Sequence, residues 1–104
     1  MSDNTLEKKH FLLKIITTRT TFSQDMTEEE RNIMGQHVGY WTDKQNQGIA
    51  VVFGPVLNPS DPHGIVIVEV ENAEQVPTLI AEDPGVIAGI LKTEFYPMKA
   101  VLRK

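Results

Sequence analysis

Apolar residues recur along this chain in two rhythms. Residues 10–18 (HFLLKIITT), 49–53 (IAVVF), 64–71 (GIVIVEVE) and 91–102 are dense in β-branched and apolar side chains and predict strands. Residues 27–47 instead repeat at helical spacing. At about 100° per residue, Ile33, Met34, His37, Val38, Tyr40 and Trp41 gather on one face. Thr27 and Glu30 form a capping-box signature, Glu28 and Glu29 suit the positive end of the helix, and Gly48 is a natural stop. Gly35 and Gly39 fall on the outer, polar side. A second helix is expected from a start at Asn72 and Gln75 through Glu82, with Pro77 about one turn in. Residues 19–26 read as a polar loop and 58–64 as a turn. Asp83–Pro84 opens a short piece running to Ile90, and Pro97 marks an edge or a bulge in the last strand. Residues 1–8 are expected to be a flexible leader, and 9–104 a single domain.

The resulting order, β-α-β-β-α-β, is that of an α+β ferredoxin-like fold, an antiparallel sheet with two helices on one face. Two helices cover only that face. The runs at 49–53 and 65–68 are apolar at consecutive positions, and in the first strand Phe11, Leu13 and Ile15 point one way while Leu12 and Ile16 point the other. Both sheet faces are therefore apolar, and a wet second face would expose an interaction patch. A homodimer, sheet against sheet about a two-fold axis, is the expected solution.

Composition removes several function classes. The formal net charge is −4, and basic residues never run beyond a pair such as Lys8–Lys9. Neither a nucleic-acid partner nor a polybasic membrane patch is expected. The chain has no cysteine, which excludes disulfides and thiolate chemistry. No apolar run approaches the roughly 20 residues of a membrane span. The first nine residues carry no apolar signal segment, so the expected location is cytoplasmic. The histidines are scattered without ligand spacing, and the glycines form neither a phosphate-binding loop nor a dinucleotide fingerprint. No metal and no cofactor are expected.

His37 holds the main chemical clue. A titratable ring at the centre of a core-facing stripe needs a hydrogen-bond partner. Asp83, at the end of the second helix, is the best candidate. The pair suits proton transfer, with His37 as acid or base and Asp83 orienting it. A plainer reading gives His37 a backbone carbonyl and makes Asp83 the N-cap that an Asp-Pro pair commonly supplies. Arg19 is a candidate for holding an anion, against a solvated loop arginine. Phe22, Tyr40 and Trp41 are candidates for lining a ligand pocket, although Tyr40 and Trp41 are explained equally well as core. Gly54 and Pro55 could admit a ligand close to backbone or simply form a strand-ending bulge. His63 reads as a solvated loop residue.

One ordered set of residues goes further: Thr27-Glu28-Glu29-Glu30, His37-Val38-Gly39-Tyr40-Trp41, Gly48, Gly54-Pro55, Gly64-Ile65 and Asp83-Pro84. In these features the chain resembles the YCII-related (YciI-like) proteins of the dimeric α+β barrel superfamily, from His10 to nearly its end. The resemblance implies the ferredoxin-like dimer and a site built on a His and an Asp, here His37 and Asp83. It leaves the substrate open. The expected function is a small cofactor-independent enzyme, a lyase or isomerase moving a proton on a small cyclic organic acid or phenol. The alternative is a non-catalytic protein that binds a small ligand in the same pocket.

Overall fold

A computed structural model describes residues 7–104. Most of the expected leader therefore lies outside the described residues. The elements are β1 (Lys9–Thr17), α1 (Phe22–Asp25), α2 (Glu28–Asn46), β2 (Ala50–Val56), β3 (His63–Val70), α3 (Gln75–Ala81), α4 (Pro84–Ile87) and β4 (Leu91–Met98). The four strands form one antiparallel sheet in the order β2-β3-β1-β4. This is the ferredoxin-like arrangement, with each of its two helical connections broken into a long and a short piece.

The core lies between the sheet and the helices. Phe11, Leu13 and Ile15 of β1 alternate inward with Val66, Val68 and Val70 of β3, and meet Trp41, Val76, Leu79 and Leu91. Period-two burial on the strands and helical spacing on α2 thus share one apolar cluster. The opposite sheet face carries half-buried Leu12, Ile16, Ile65 and Ile67, with more exposed Val52 and Tyr96 in register beside them. It is not purely apolar. His10 Nε2 lies 3.0 Å from Glu69 Oε2 across β1 and β3, and Lys14 reaches Asp61 at 3.3 Å.

Local chemistry fixes the ends of α2. The capping box forms: Glu30 N–H donates to Thr27 Oγ1 at 3.0 Å and Thr27 N–H to Glu30 Oε1 at 2.9 Å. At the other end Gly48 adopts φ 82°, while Ile49 N–H reaches back to Lys44 O at 2.9 Å. That is the left-handed closure glycine permits most cheaply. Gly89, at φ 79°, closes α4 in the same way, with Ile90 N–H on Gly85 O at 3.1 Å.

Several boundaries differ from the pattern-based expectation. Residues 19–26 are not all loop, because Phe22 buries itself and draws a helical turn, α1, around it. β2 does not stop at Phe53. It runs on through Gly54 and Pro55, paired with Ile65 and Gly64, and its irregularity lies between Ala50 and Val52. β2 is an edge strand, where a proline removes no needed hydrogen bond. The expected start at Asn72 slips to Gln75, whose Oε1 accepts from the backbone N–H groups of Glu71 and Asn72. Pro77 then sits in the first turn of α3, where its missing N–H has no intrahelical partner to lose. The last strand ends at Met98, short of residue 102.

Arg19 ties the α1 turn to the start of α2. Its Nε donates to Asp25 Oδ1 at 2.8 Å, and its two terminal nitrogens grip Glu30 at 2.9 and 3.1 Å. This bidentate fork, helped by the Thr27 backbone, holds the Glu30 carboxyl at about 2 instead of its ordinary 4.5. Asp25 is lowered as well, first by Thr21 and then by Arg19. A carboxyl depressed in the folded state stabilises it above the unfolded-state value, and the contribution disappears as pH falls through the folded-state value. Between pH 4.5 and about 2 the melting temperature should therefore fall. In Glu30→Gln the fall should be shallower over that window, which thermal unfolding followed by circular dichroism at stepped pH will show.

Candidate active site

Asp83 is 1% exposed and His37 7% exposed, and they are the buried polar residues of the core. His37 Nδ1 lies 2.9 Å from each carboxylate oxygen of Asp83. Two more donors converge on the same group. Trp41 Nε1–H donates to Oδ2 at 2.9 Å, and Gly85 N–H donates to Oδ1 at 2.9 Å. His37 and Trp41 are four residues apart on α2, so they project from one face in successive turns. Asp83 is the N-cap of α4, with Pro84 following it. The Asp-Pro pair is thus both a helix cap and the partner of His37. The two readings left open by the sequence are compatible because a carboxylate accepts several bonds at once.

The arrangement sets the protonation of the ring. Each Asp83 oxygen already accepts a hydrogen bond, one from the Trp41 indole N–H and one from the Gly85 peptide N–H, so the carboxylate acts as an acceptor on every side. The histidine nitrogen facing it must then carry a hydrogen, which places the lone pair of the neutral ring on Nε2. Among the described residues Nε2 has no hydrogen-bond partner, yet no buried side-chain polar atom is left unpaired. Nε2 therefore reaches open space.

That space is a cavity of about 540 Å³ between α1, α2 and the β2–β3 hairpin. Its wall is mainly apolar, from Ile15, Phe22, Met34, Phe53, Pro55 and Leu91, and His37 stands in it. Phe22, Gly54 and Pro55, expected at a ligand pocket, all line it. Three other expected lining or binding residues lie elsewhere. Trp41, 1% exposed, is core and serves Asp83. Tyr40 sends its hydroxyl to Leu79 O at 2.7 Å, which clamps α2 to α3. Burial, with Glu82 and Asp83 nearby, pushes that hydroxyl up to about 12, so it remains a donor at neutral pH. Arg19 is engaged by Asp25 and Glu30 and is absent from the wall. Its guanidinium lies 5.1 Å from the ring centroid of Phe22.

Pattern reading missed His63. It is the first residue of β3, not a solvated loop residue, and it belongs to the cavity lining. Its Nδ1 donates to Asp61 O at 2.7 Å, and Asp61 Oδ2 lies 3.8 Å away. The available signal was its place at the end of a turn leading into a β-rich run. Trp41 as a donor was also findable, four residues beyond His37.

Gly85 is the tightest point of the site. A Cβ there would fall 2.2 Å from Leu91 Cδ1 and 2.8 Å from Leu91 Cγ, so only glycine lets α4 bring its N–H to Asp83 while Leu91 fills the core.

Residues 11–99 match the family model of the YCII-related domain. No curated protein sequence matches the chain. Among solved structures, the fold is similar to 5-chloro-2-hydroxyhydroquinone dehydrochlorinase (TftG) from Burkholderia phenoliruptrix AC1100, solved in complex with 2,5-dihydroxybenzoquinone. The TM-score is 0.66 at 19% identity, over 86% of this chain and 93% of that one. Uncharacterized protein TM1266 from Thermotoga maritima aligns with a TM-score of 0.54 at 9% identity, over 89% and 100% of the two chains. Protein YJCS aligns with a TM-score of 0.51 at 13% identity, over 89% and 99%.

Replacing Trp41 by Phe should leave Asp83 short of one donor and cost about 1–3 kcal/mol. Gly85→Ala, which must displace Leu91, should cost a similar amount, about 1–3 kcal/mol. Urea unfolding followed by far-ultraviolet circular dichroism measures both.

Proposed function

Because the chain belongs to the YCII-related family, we propose that it is a small proton-transfer enzyme in which His37 is the acid-base and Asp83 its orienting partner. The single observation carrying this reading is the His37 Nδ1–Asp83 contact of 2.9 Å, with His37 standing in the wall of a mainly apolar cavity. A histidine placed only for packing has no need of a buried anion behind it and an open volume in front. The similarity to a dehydrochlorinase of a hydroxylated ring supports small-molecule chemistry of the same broad type.

The geometry supports the following course. Nε2 takes the proton of a substrate hydroxyl, and the imidazolium that forms is stabilised by the Asp83 carboxylate. The oxygen electron pair closes to C=O, which displaces an adjacent C=C pair. That pair either takes the proton back from His37 at carbon, an isomerisation, or expels a leaving group as its anion, an elimination. The mainly apolar wall lowers the local polarity beside the ring, and this strengthens each electrostatic contact along the path. No step requires a cofactor.

The same proposal includes a homodimer. Among the described residues nothing covers the sheet face bearing Leu12, Ile16, Ile65, Ile67, Val52 and Tyr96, and a two-fold copy of itself would bury it. Light scattering should give twice the 11.7 kDa chain mass at micromolar concentration, and a stable species of single mass would remove the dimer from the proposal.

The catalytic claim is tested by turnover across a panel of hydroxylated and chlorinated ring compounds, comparing wild type with His37→Ala and His37→Gln. The expected result is a substrate whose rate drops by about 100-fold or more in both variants, with their circular dichroism unchanged. Equal rates would exclude His37 from the chemistry, and binding without turnover across the panel would favour a ligand-binding role.

A further inference from the structure

Resting on the reading of His37 as the acid-base, we propose that the cavity selects an uncharged, ring-sized molecule bearing an acidic hydroxyl, a phenol or an enol, and rejects the carboxylates that the same chemistry could serve.

The selection follows from which charges face the cavity. Among the described residues, no lysine, arginine, aspartate or glutamate lines it, and its titratable side chains are His37 and His63. Arg19, the guanidinium near α1, already satisfies two carboxylates, and its fork is closed on Glu30 at 2.9 and 3.1 Å. A carboxylate entering this space would shed its hydration and find no fixed cation to replace it.

The histidines reinforce the sign. His37 spends its Nδ1 hydrogen on Asp83, and His63 spends its Nδ1 hydrogen on Asp61 O. Each neutral ring is left with a lone pair on Nε2, so both are acceptors that suit a donor O–H. The charge directly behind His37 is the Asp83 anion, 1% exposed. Behind His63 stands the Asp61 carboxylate, which Lys14 partly neutralises at 3.3 Å. An anion in the cavity would therefore sit in line with a buried carboxylate across one imidazole ring. A neutral hydroxyl meets Nε2 as a donor and gives up its proton only when the reaction begins. The volume, about 540 Å³, and the wall of Met34, Phe22, Phe53 and Leu91 suit the rest of a ring.

Two probes that share a para-methyl ring test this on the protein: 4-methylphenol and 4-methylbenzoate at pH 7.5. Trp41 is the only tryptophan and bonds Asp83, so its fluorescence reports occupancy. The 13C-methyl signals of Met26 and Met34, both in the lining, report the place of binding. The expected result is 4-methylphenol binding at least about ten-fold more tightly than 4-methylbenzoate, with shifts at both methyls. Equal or tighter binding of 4-methylbenzoate overturns the proposal, as does binding that leaves both methyls unmoved, or no binding of either probe. The outcome is separate from the catalytic reading. His37-dependent turnover of a carboxylate would keep the acid-base and end the selectivity, whereas tight phenol binding without any turnover would do the reverse.

Discussion

A single buried carboxylate organises this protein. Asp83 is almost without solvent contact, and an ionised group in that position is tolerated only if the fold surrounds it with donors. Three come from two elements: the His37 and Trp41 rings from α2, and the Gly85 amide from the first turn of α4. The positions of those elements are thereby constrained together. α2 must present one face at two successive turns, α4 must begin directly after Asp83, and residue 85 must lack a side chain so that Leu91 can pack against it. The core cluster supplies the general burial, while the carboxylate decides which way α2 is turned over the sheet.

The same constraint underlies the proposed chemistry. Fixing the hydrogen of His37 on Nδ1 leaves Nε2 bare, and the apolar cavity is in front of it. The hairpin between β2 and β3 closes that cavity on one side and the α1 turn on another. α1 is itself held by Arg19, whose contacts with Asp25 and Glu30 join it to the capped start of α2. Fold and site thus share their supports.

Much of this was legible in the chain. Strand runs, the capping box at Thr27 and Glu30, and the stop at Gly48 marked elements whose local signals agree with the final structure. The His37–Asp83 partnership was also visible, because an out-of-place ring on an apolar face demands a partner and Asp83 stands where the second helical connection turns. What pattern could not supply was which loops meet. Arg19 offered itself as an anion holder, but the fold brings two acids of its own chain to it. Trp41 and Tyr40 could be read as pocket wall or as core; the fold packs both with the core, and each has a polar tip that finds an acceptor there. His63 lay in turn chemistry, and only the register of β3 against β2 brings it to the cavity. The strand through Pro55 depended on β2 being an edge, which is a property of the sheet and not of the segment.

The central claim is that Asp83 keeps the His37 hydrogen on Nδ1 and so leaves Nε2 free to take a proton. Long-range 1H–15N correlation of the imidazole rings reads that tautomer directly, at a pH where His37 is neutral. The account predicts a protonated Nδ1 and a bare Nε2 for His37 in the wild-type protein, with that preference lost in Asp83→Ala. A neutral His37 carrying its hydrogen on Nε2 in the wild-type protein would contradict it.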